Sequence, residues 1–266
     1  MKAPILAVAL LCLSSCRQGG KGSETTAPSP ESSPQTAATT PSSATHGLTD
    51  QEIAEGWTSL FDGKTTSGWH IYQRKSDGSA WKVDSGYLYL DPSNKAGSGI
   101  QTKVVGGGDL ISDSTYGDFH LSLEWRISPK GNSGIFFGIQ ESPEYEHPWF
   151  TGPEMQVLDN DGHPDGKISK HRAGNLYDLL AAGIEPVKPV GEWNKAEIKL
   201  VKGYLECWLN GYAVVEVKMG DASWKLRVKE SKFRDMPGFG AFQTGHIGLQ
   251  DHGDLVWYRN IKIRRL

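Results

Sequence analysis

The stretch DFHLSLEWRISPKGNSGIFFGIQ, residues 118–140, decides the fold. A β-strand sends successive side chains to opposite faces. On that alternation Phe119, Leu121, Leu123, Trp125 and Ile127 share one face, while His120, Ser122, Glu124 and Arg126 share the other. A second strand is expected over 134–140. Upstream, short aromatic and branched runs at 57–61, 69–72, 81–83, 87–90 and 100–103 are separated by Asp62-Gly63, Ser67-Gly68, Asp77-Gly78 and Ser85-Gly86, pairs suited to tight turns. Downstream, 153–158, 193–201, 204–209, 213–218, 246–250 and 255–264 read the same way. Many strands with close turns and little helical period predict an all-β antiparallel sandwich. Two helical segments are expected beside it. One spans 48–54, capped by Thr49 or Asp50; the other spans 221–233, capped by Asp221, with Lys225, Arg227, Lys229, Glu230 and Lys232 as a solvated face.

The chain of 266 residues is 37% hydrophobic with nine Trp, ample for a sizeable core. A formal net charge of −3 gives no cationic field for phosphate, so nucleic acid is not an expected partner. The N-terminus has a basic Lys2, an apolar run over 5–13 too short to span a membrane, and then Leu13-Ser14-Ser15-Cys16. That tetrad resembles a bacterial lipobox, which implies cleavage before Cys16, acylation of Cys16, and a membrane tether in the cell envelope, periplasmic or at the outer surface. Three parts are therefore expected: a lipoprotein signal peptide at 1–15, a lipid-anchored flexible linker at 16–47 rich in Ser, Thr and Pro, and a folded domain at 48–266. Loss of Cys12 with the signal and acylation of Cys16 leave Cys207 without a disulfide partner.

Candidate chemistry gathers between residues 131 and 178, where strands alternate with long polar loops. In the strand beginning at Glu154, Met155 and Val157 face the core, while Glu154 and Gln156 project from the opposite face with Leu158. Glu124 and Glu154 are two carboxylates on polar strand faces, suited to acid and base work or simply to solvation. Gln250 and His252 share a face with His246, and imidazole titrates where proton transfer and metal binding are both accessible. Asp159 and His163, with Asp161, Asp165, His171, Asp251 and His252, form an oxygen and imidazole set fit for a divalent metal cation, or an Asx-rich turn. Trp149, Phe150, Tyr145 and Tyr177 are candidates to stack on a sugar ring. No nucleophile elbow, P-loop or dinucleotide fingerprint is present.

Five blocks carry a resemblance: GWTSLFDGKTTSGWHIY, EWRISPKGNSGIFFGIQE, GPEMQVLDNDGHPDGK, EWNKAEIKLVKGYLECWLNG and GHIGLQDHGDLVWYRNIKIRRL. In this order, from residue 56 to the C-terminus, they resemble the bacterial 3-keto-disaccharide hydrolase family, formerly a domain of unknown function and also described as 3-keto-glycoside lyases and hydratases. EMQVLDN together with IGLQDHG carries most of the specificity. The resemblance implies a concanavalin A-like jelly roll of two antiparallel sheets, with the site on a concave face. It also implies an oxidised, 3-keto glycoside or disaccharide as substrate. The ketone acidifies the carbon 2 proton, elimination expels the aglycone with a divalent cation as Lewis acid, and water adds to the resulting 2-hydroxy-3-keto-glucal. On this reading His252 and Glu154 are catalytic, Asp159 and His163 hold metal, and Glu124, Gln156, Gln250, Trp149 and Asn132 bind substrate. Two other readings stay open: a non-catalytic lectin-like carbohydrate-binding module on the same scaffold, and a conventional glycoside hydrolase with paired carboxylates.

Overall fold

The computed structural model describes residues 46–96 and 103–266. The expected signal peptide, Cys16, most of the linker, and the start of the strand expected at 100–103 lie outside the described residues. The first described element is helix α1 (Asp50–Ala54), where Thr49 and Glu52 cap each other: the Glu52 N–H donates to Thr49 Oγ1 at 3.2 Å and the Thr49 N–H to Glu52 Oε2 at 3.0 Å.

Short strands follow at β1 (Trp57–Ser59), β2 (Trp69–Ile71), β3 (Trp81–Asp84), β4 (Tyr87–Leu90), β5 (Lys95–Ala96) and β6 (Lys103–Val104). Longer ones are β7 (Leu110–Tyr116), β8 (Phe119–Ile127), β9 (Asn132–Ile139), β10 (Glu154–Leu158), β11 (Asn194–Val201), β12 (Tyr204–Leu209) and β13 (Tyr212–Lys218). Helix α2 (Ala222–Lys229) starts where Asp221 accepts the Trp224 N–H at 2.7 Å, and β14 (Gly245–Leu249) and β15 (Val256–Arg265) close the chain.

Strands β5 and β6 pair separately as a two-stranded ribbon, and two antiparallel sheets form an all-β sandwich. One has the order β13-β12-β11-β8-β15-β4-β3 with β1 beside β15; the other has the order β10-β9-β14-β7-β2. The alternation read in 119–127 is realised, since Phe119, Leu121, Leu123, Trp125 and Ile127 are all buried. Across the larger sheet Cys207, Ile198, Leu121 and Ile263 stand in one register row, so the core is layered strand by strand. In β15 one extra residue is accommodated between Arg259 and Lys262, with Asn260 at φ +52°. That bulge restores Ile261 and Ile263 to the core after Tyr258.

Strand β7 was not expected from its sequence, LISDSTY, because its polar middle hides the pattern. Ser112 is nevertheless buried, and its hydroxyl donates to the Ser114 carbonyl at 2.7 Å and accepts the Ile247 N–H at 3.0 Å. A serine satisfied in this way is admissible inside a sheet. Ile198→Ala, at a fully buried point where three strands meet, is expected to cost about 2–5 kcal/mol, measured as a lowered urea midpoint with unchanged slope.

Candidate active site

The site is built on the edge strand of the smaller sheet. β10 pairs with β9 on one side, Glu154 opposite Phe136 and Gln156 opposite Gly134. Its other edge is closed by residues 174–177 of the long loop: the Gln156 N–H donates to the Asn175 carbonyl at 3.0 Å, and the Gly174 and Tyr177 N–H groups donate to the Gln156 and Glu154 carbonyls at 2.9 Å. An otherwise open edge is thereby covered, and all five residues of β10 are buried.

Met155 and Val157 join Ile135, Phe137, Ile247 and Leu249 in the main core, as alternation requires. Glu154 and Gln156 face away from it, into a cavity of about 620 Å³. The absence of a side chain at Gly134 makes this possible, because a Cβ there would lie 2.0 Å from Glu154 Oε1. The Glu154 side chain rests in the space that this glycine leaves.

Asn132, Trp149, Gln156, Gln250 and His252 line the same cavity, together with Lys103, Glu146, His147, Tyr177, Lys232, Phe233 and Asp251. Eight residues singled out in the sequence, Asn132, Trp149, Glu154, Gln156, Tyr177, Gln250, Asp251 and His252, are thus brought together. The Gln156 side chain is 1% exposed, and neither its Oε1 nor its Nε2 has a hydrogen-bond partner in the protein; Gln250 Oε1 and Asn132 Oδ1 are also buried without partners. Buried polar atoms are costly to leave unpaired. Three amides with open valences in one cavity are therefore suited to a ligand rich in hydroxyl and carbonyl groups. On the rim, Trp149 stacks on His147 with ring centroids 3.9 Å apart and planes 8° from parallel, presenting a flat aromatic wall. A second lobe of about 520 Å³ continues past Trp149, His147 and Asp251 toward Tyr72 and Asp109.

Burial dominates the electrostatics. Glu154, 6% exposed, has its carboxyl pushed up to about 8 by loss of water, with Lys232 pulling the other way. Burial also draws His252 below the usual imidazole range, so its ring is held neutral near pH 7. Tyr177 is raised by burial and by Asp165, whose carboxylate accepts its hydroxyl at 3.2 Å. Asp251 lines both lobes, and its N–H donates at 3.0 Å to Oδ1 of Asp109, which lines the second lobe and is raised to about 7 by burial.

One group among the described residues has the composition of a cation site: a ligand atom from each of His163, His252 and Asp254, all within 4.8 Å of one another. Two imidazoles and a carboxylate, half-buried at the cavity edge, suit a borderline divalent cation and leave positions free for other ligands. Asp254 is oriented by the Asn132 N–H, which donates to its Oδ2 at 3.1 Å. His163 Nδ1 accepts the Asp165 N–H at 3.1 Å, so coordination through Nε2 requires this hydrogen bond to be released.

Of the other residues proposed from sequence, Tyr145, Phe150, Asp161, Asp165 and His171 do not line the cavity, and Asp159 and Glu124 join neither it nor the cation group. Asp159 is held by its own loop, accepting the Lys130 N–H at 2.6 Å, the Gly162 N–H at 2.9 Å and the Asp161 N–H at 3.2 Å. It is the turn-forming Asx residue, and Asp254 stands in the cation group instead. Glu124 lies on the larger sheet, bound to Arg259 at 2.6 and 2.8 Å and to Asn260 at 2.8 Å, so it faces no cleft with Glu154. His246, on the expected face, stops short of the cavity and points Nδ1 at the Ser112 carbonyl, 2.6 Å away. Cys207 is buried with its thiol pushed up to about 12, which excludes it as a nucleophile. Sequence reasoning missed Lys232, which sits just beyond α2 rather than on a solvated helical face.

Known proteins bear on this geometry. Residues 56–264 match the family model described as the 3-keto-alpha-glucoside-1,2-lyase-like domain. The chain is 37% identical over 234 residues to a 3-keto-disaccharide hydrolase of Bacteroides thetaiotaomicron, covering 80% of this chain and 79% of that one. It is also similar to the crystal structure of a candidate glycosyl hydrolase from Parabacteroides distasonis, with TM-score 0.72 and 33% identity, covering 82% of this chain and 98% of that one. A second structure from the same organism, described in the same way, gives TM-score 0.57 and 26% identity over 79% of this chain and 99% of that one.

The raised Glu154 carboxyl has a consequence for stability. Between the ordinary value of 4.5 and about 8, the folded protein keeps a proton that the unfolded chain has lost, so stability falls as pH rises through that window. Glu154→Gln is expected to melt close to wild type at pH 4.5 and higher than wild type at pH 8.5, by on the order of 5 °C. A difference independent of pH would mean that Glu154 ionises normally.

Proposed function

Because the chain belongs to the 3-keto-alpha-glucoside-1,2-lyase-like family and is 37% identical to a 3-keto-disaccharide hydrolase, we propose that it cleaves 3-keto-glycosides by elimination followed by hydration. The observation that carries this reading is the Glu154 carboxyl, buried in a cavity whose three nearby amides lack partners. A conventional acid–base pair needs two carboxylates astride the glycosidic bond; the partner suggested by sequence, Glu124, is committed to Arg259 on the other sheet, and of the other carboxylates lining the cavity Glu146 is exposed and Asp251 is held by the Gly108 and Gly253 N–H groups. Elimination instead needs one base of moderate strength. A carboxyl near 8 is such a base.

In the proposed reaction Glu154 takes the proton from carbon 2, and the electron pair moves toward the carbon 3 oxygen. When the pair returns, the carbon 1–oxygen bond breaks and a carbon 1–carbon 2 double bond forms. Glu154, now protonated, supplies its proton to the departing oxygen. Water then adds to carbon 1, a proton goes to carbon 2, and the product is the free 3-keto sugar. Gln156, Gln250 and Asn132 hold hydroxyl and carbonyl groups of the ring, and Trp149 packs against its apolar face. His163, His252 and Asp254 would hold a divalent cation. Bound there, it would supply Lewis acidity toward the substrate's oxygens. On the lipobox alone we propose that residues 48–266 work in the cell envelope, tethered through Cys16 by the linker.

Aglycone release is expected from a 3-keto-glucoside and not from the parent glucoside, with loss of rate on chelation and recovery on adding divalent metal. Run in heavy water, the reaction is expected to leave deuterium at carbon 2 of the product. Cleavage of the parent glucoside, or products free of deuterium, would refute elimination. Glu154→Gln is expected to lower kcat by about 10²–10⁴-fold, the usual contribution of a positioned general base, and activity in the wild type should rise with pH toward about 8 as Glu154 ionises.

A further inference from the structure

Among the cavity residues that the reading above leaves without a task, Lys232 is a cation facing Glu154. It follows α2, and its backbone N–H donates to Asp178 Oδ2 at 2.7 Å. His171 Nε2 contacts Asp178 Oδ1 at 3.0 Å, so the backbone of Lys232 is fixed to the long loop that covers the edge of β10. The side chain lines the same cavity as Glu154 and Gln156. Its ammonium lies 4.0 Å from the Tyr177 ring centroid and 5.2 Å from that of Phe233. Among the described residues it makes no ion pair within 4.0 Å and its amine donates no hydrogen bond. Lys232 is exposed to the water of the cleft, yet protein surrounds it closely enough that desolvation draws its amine below the ordinary lysine range.

An aromatic face is a weak seat for a cation. It attracts the ammonium by its quadrupole, worth about 0.5–2 kcal/mol, without offering a formal negative charge. The charged groups facing the ammonium are Glu154 from β10 and Asp165 and Asp178 from the long loop. Asp178 is occupied by His171 and by the Lys232 backbone, and Asp165 accepts the Tyr177 hydroxyl and lies 3.3 Å from His171 Nδ1. Glu154 alone among the three has no protein hydrogen bond to its carboxylate.

We propose that Lys232 is a catalytic cation whose charge is shared between Glu154 in the resting site and the substrate's carbon 3 oxygen during proton abstraction. The proposal rests on the elimination reading. Its physical basis is conservation of charge in the step: as Glu154 goes from carboxylate to carboxylic acid, the substrate goes from ketone to enolate, so one negative charge leaves the protein and appears on the sugar. A cation locked in an ion pair could not follow that charge. An ammonium seated on Tyr177 can, because leaving the ring face breaks no hydrogen bond, and a charge-assisted contact to the enolate oxygen is stronger than one to the ketone. Such an interaction exists mainly in the transition state and acts on kcat more than on KM.

Lys232→Met and Lys232→Arg, with Lys225→Met on the exposed face of α2 as control, would be assayed on a 3-keto-glucoside across pH with the metal-loaded enzyme. Lys232→Met is expected to lower kcat about 10²-fold with KM changed less than threefold, and to move the acid limb of the kcat profile to higher pH. Lys232→Arg is expected to recover at least a tenth of the rate, and the control to match wild type. A Lys232→Met enzyme within threefold of wild type, or one whose acid limb stays in place, would overturn the assignment. A wild type that does not turn over the keto substrate would overturn the elimination reading and this inference together, and is recognised by failure before any substitution.

Discussion

Burial of one carboxyl on an edge strand is the constraint around which this site is arranged. An edge strand ordinarily meets water on its open side, and a carboxylate there would ionise at its usual pH. Here residues 174–177 close the edge of β10 through three backbone hydrogen bonds, Gly134 leaves room for the Glu154 side chain, and the cavity walls exclude most of its water. The same covering segment delivers Tyr177 beside Glu154, and through Asp178 it fixes the residue that follows α2. Acid strength, aromatic wall and cation placement thus have a common origin in how one strand is covered.

The division between the sheets follows from their partners. The larger sheet contributes the long apolar rows of β8, β11 and β15, and its outward face carries structural pairs such as Glu124 with Arg259. The smaller sheet turns its interior to the same core and its exterior to the cavity. It can therefore display residues that would be poor choices inside a protein: a carboxyl, three amides with open valences and a neutral histidine. Their cost is borne by the core behind them.

Period-2 alternation made the sandwich legible, and most strand positions followed from it, including the outward direction of Glu154 and Gln156. Loss of the pattern at LISDSTY hid β7, because a buried serine with both hydrogen bonds satisfied looks the same in sequence as an exposed one. Within the site, residues on one strand or one hairpin could be grouped by face, which joined Glu154 to Gln156 and Gln250 to His252. Alternation has no reach between strands that are distant in sequence. It could not tell that Glu124 belongs to the opposite sheet, that Asp159 spends its oxygens on its own turn while Asp254 stands with the two histidines, or that Lys232 crosses from a charged helical segment into the cavity.

Asp178 connects two walls of the cleft through the two oxygens of one carboxylate, one held by His171 of the long loop and the other by the backbone of Lys232 beyond α2. Those walls are therefore a single jaw. Separating them would break both contacts to Asp178, so a substitution at His171 is felt at the backbone of Lys232 across the cleft.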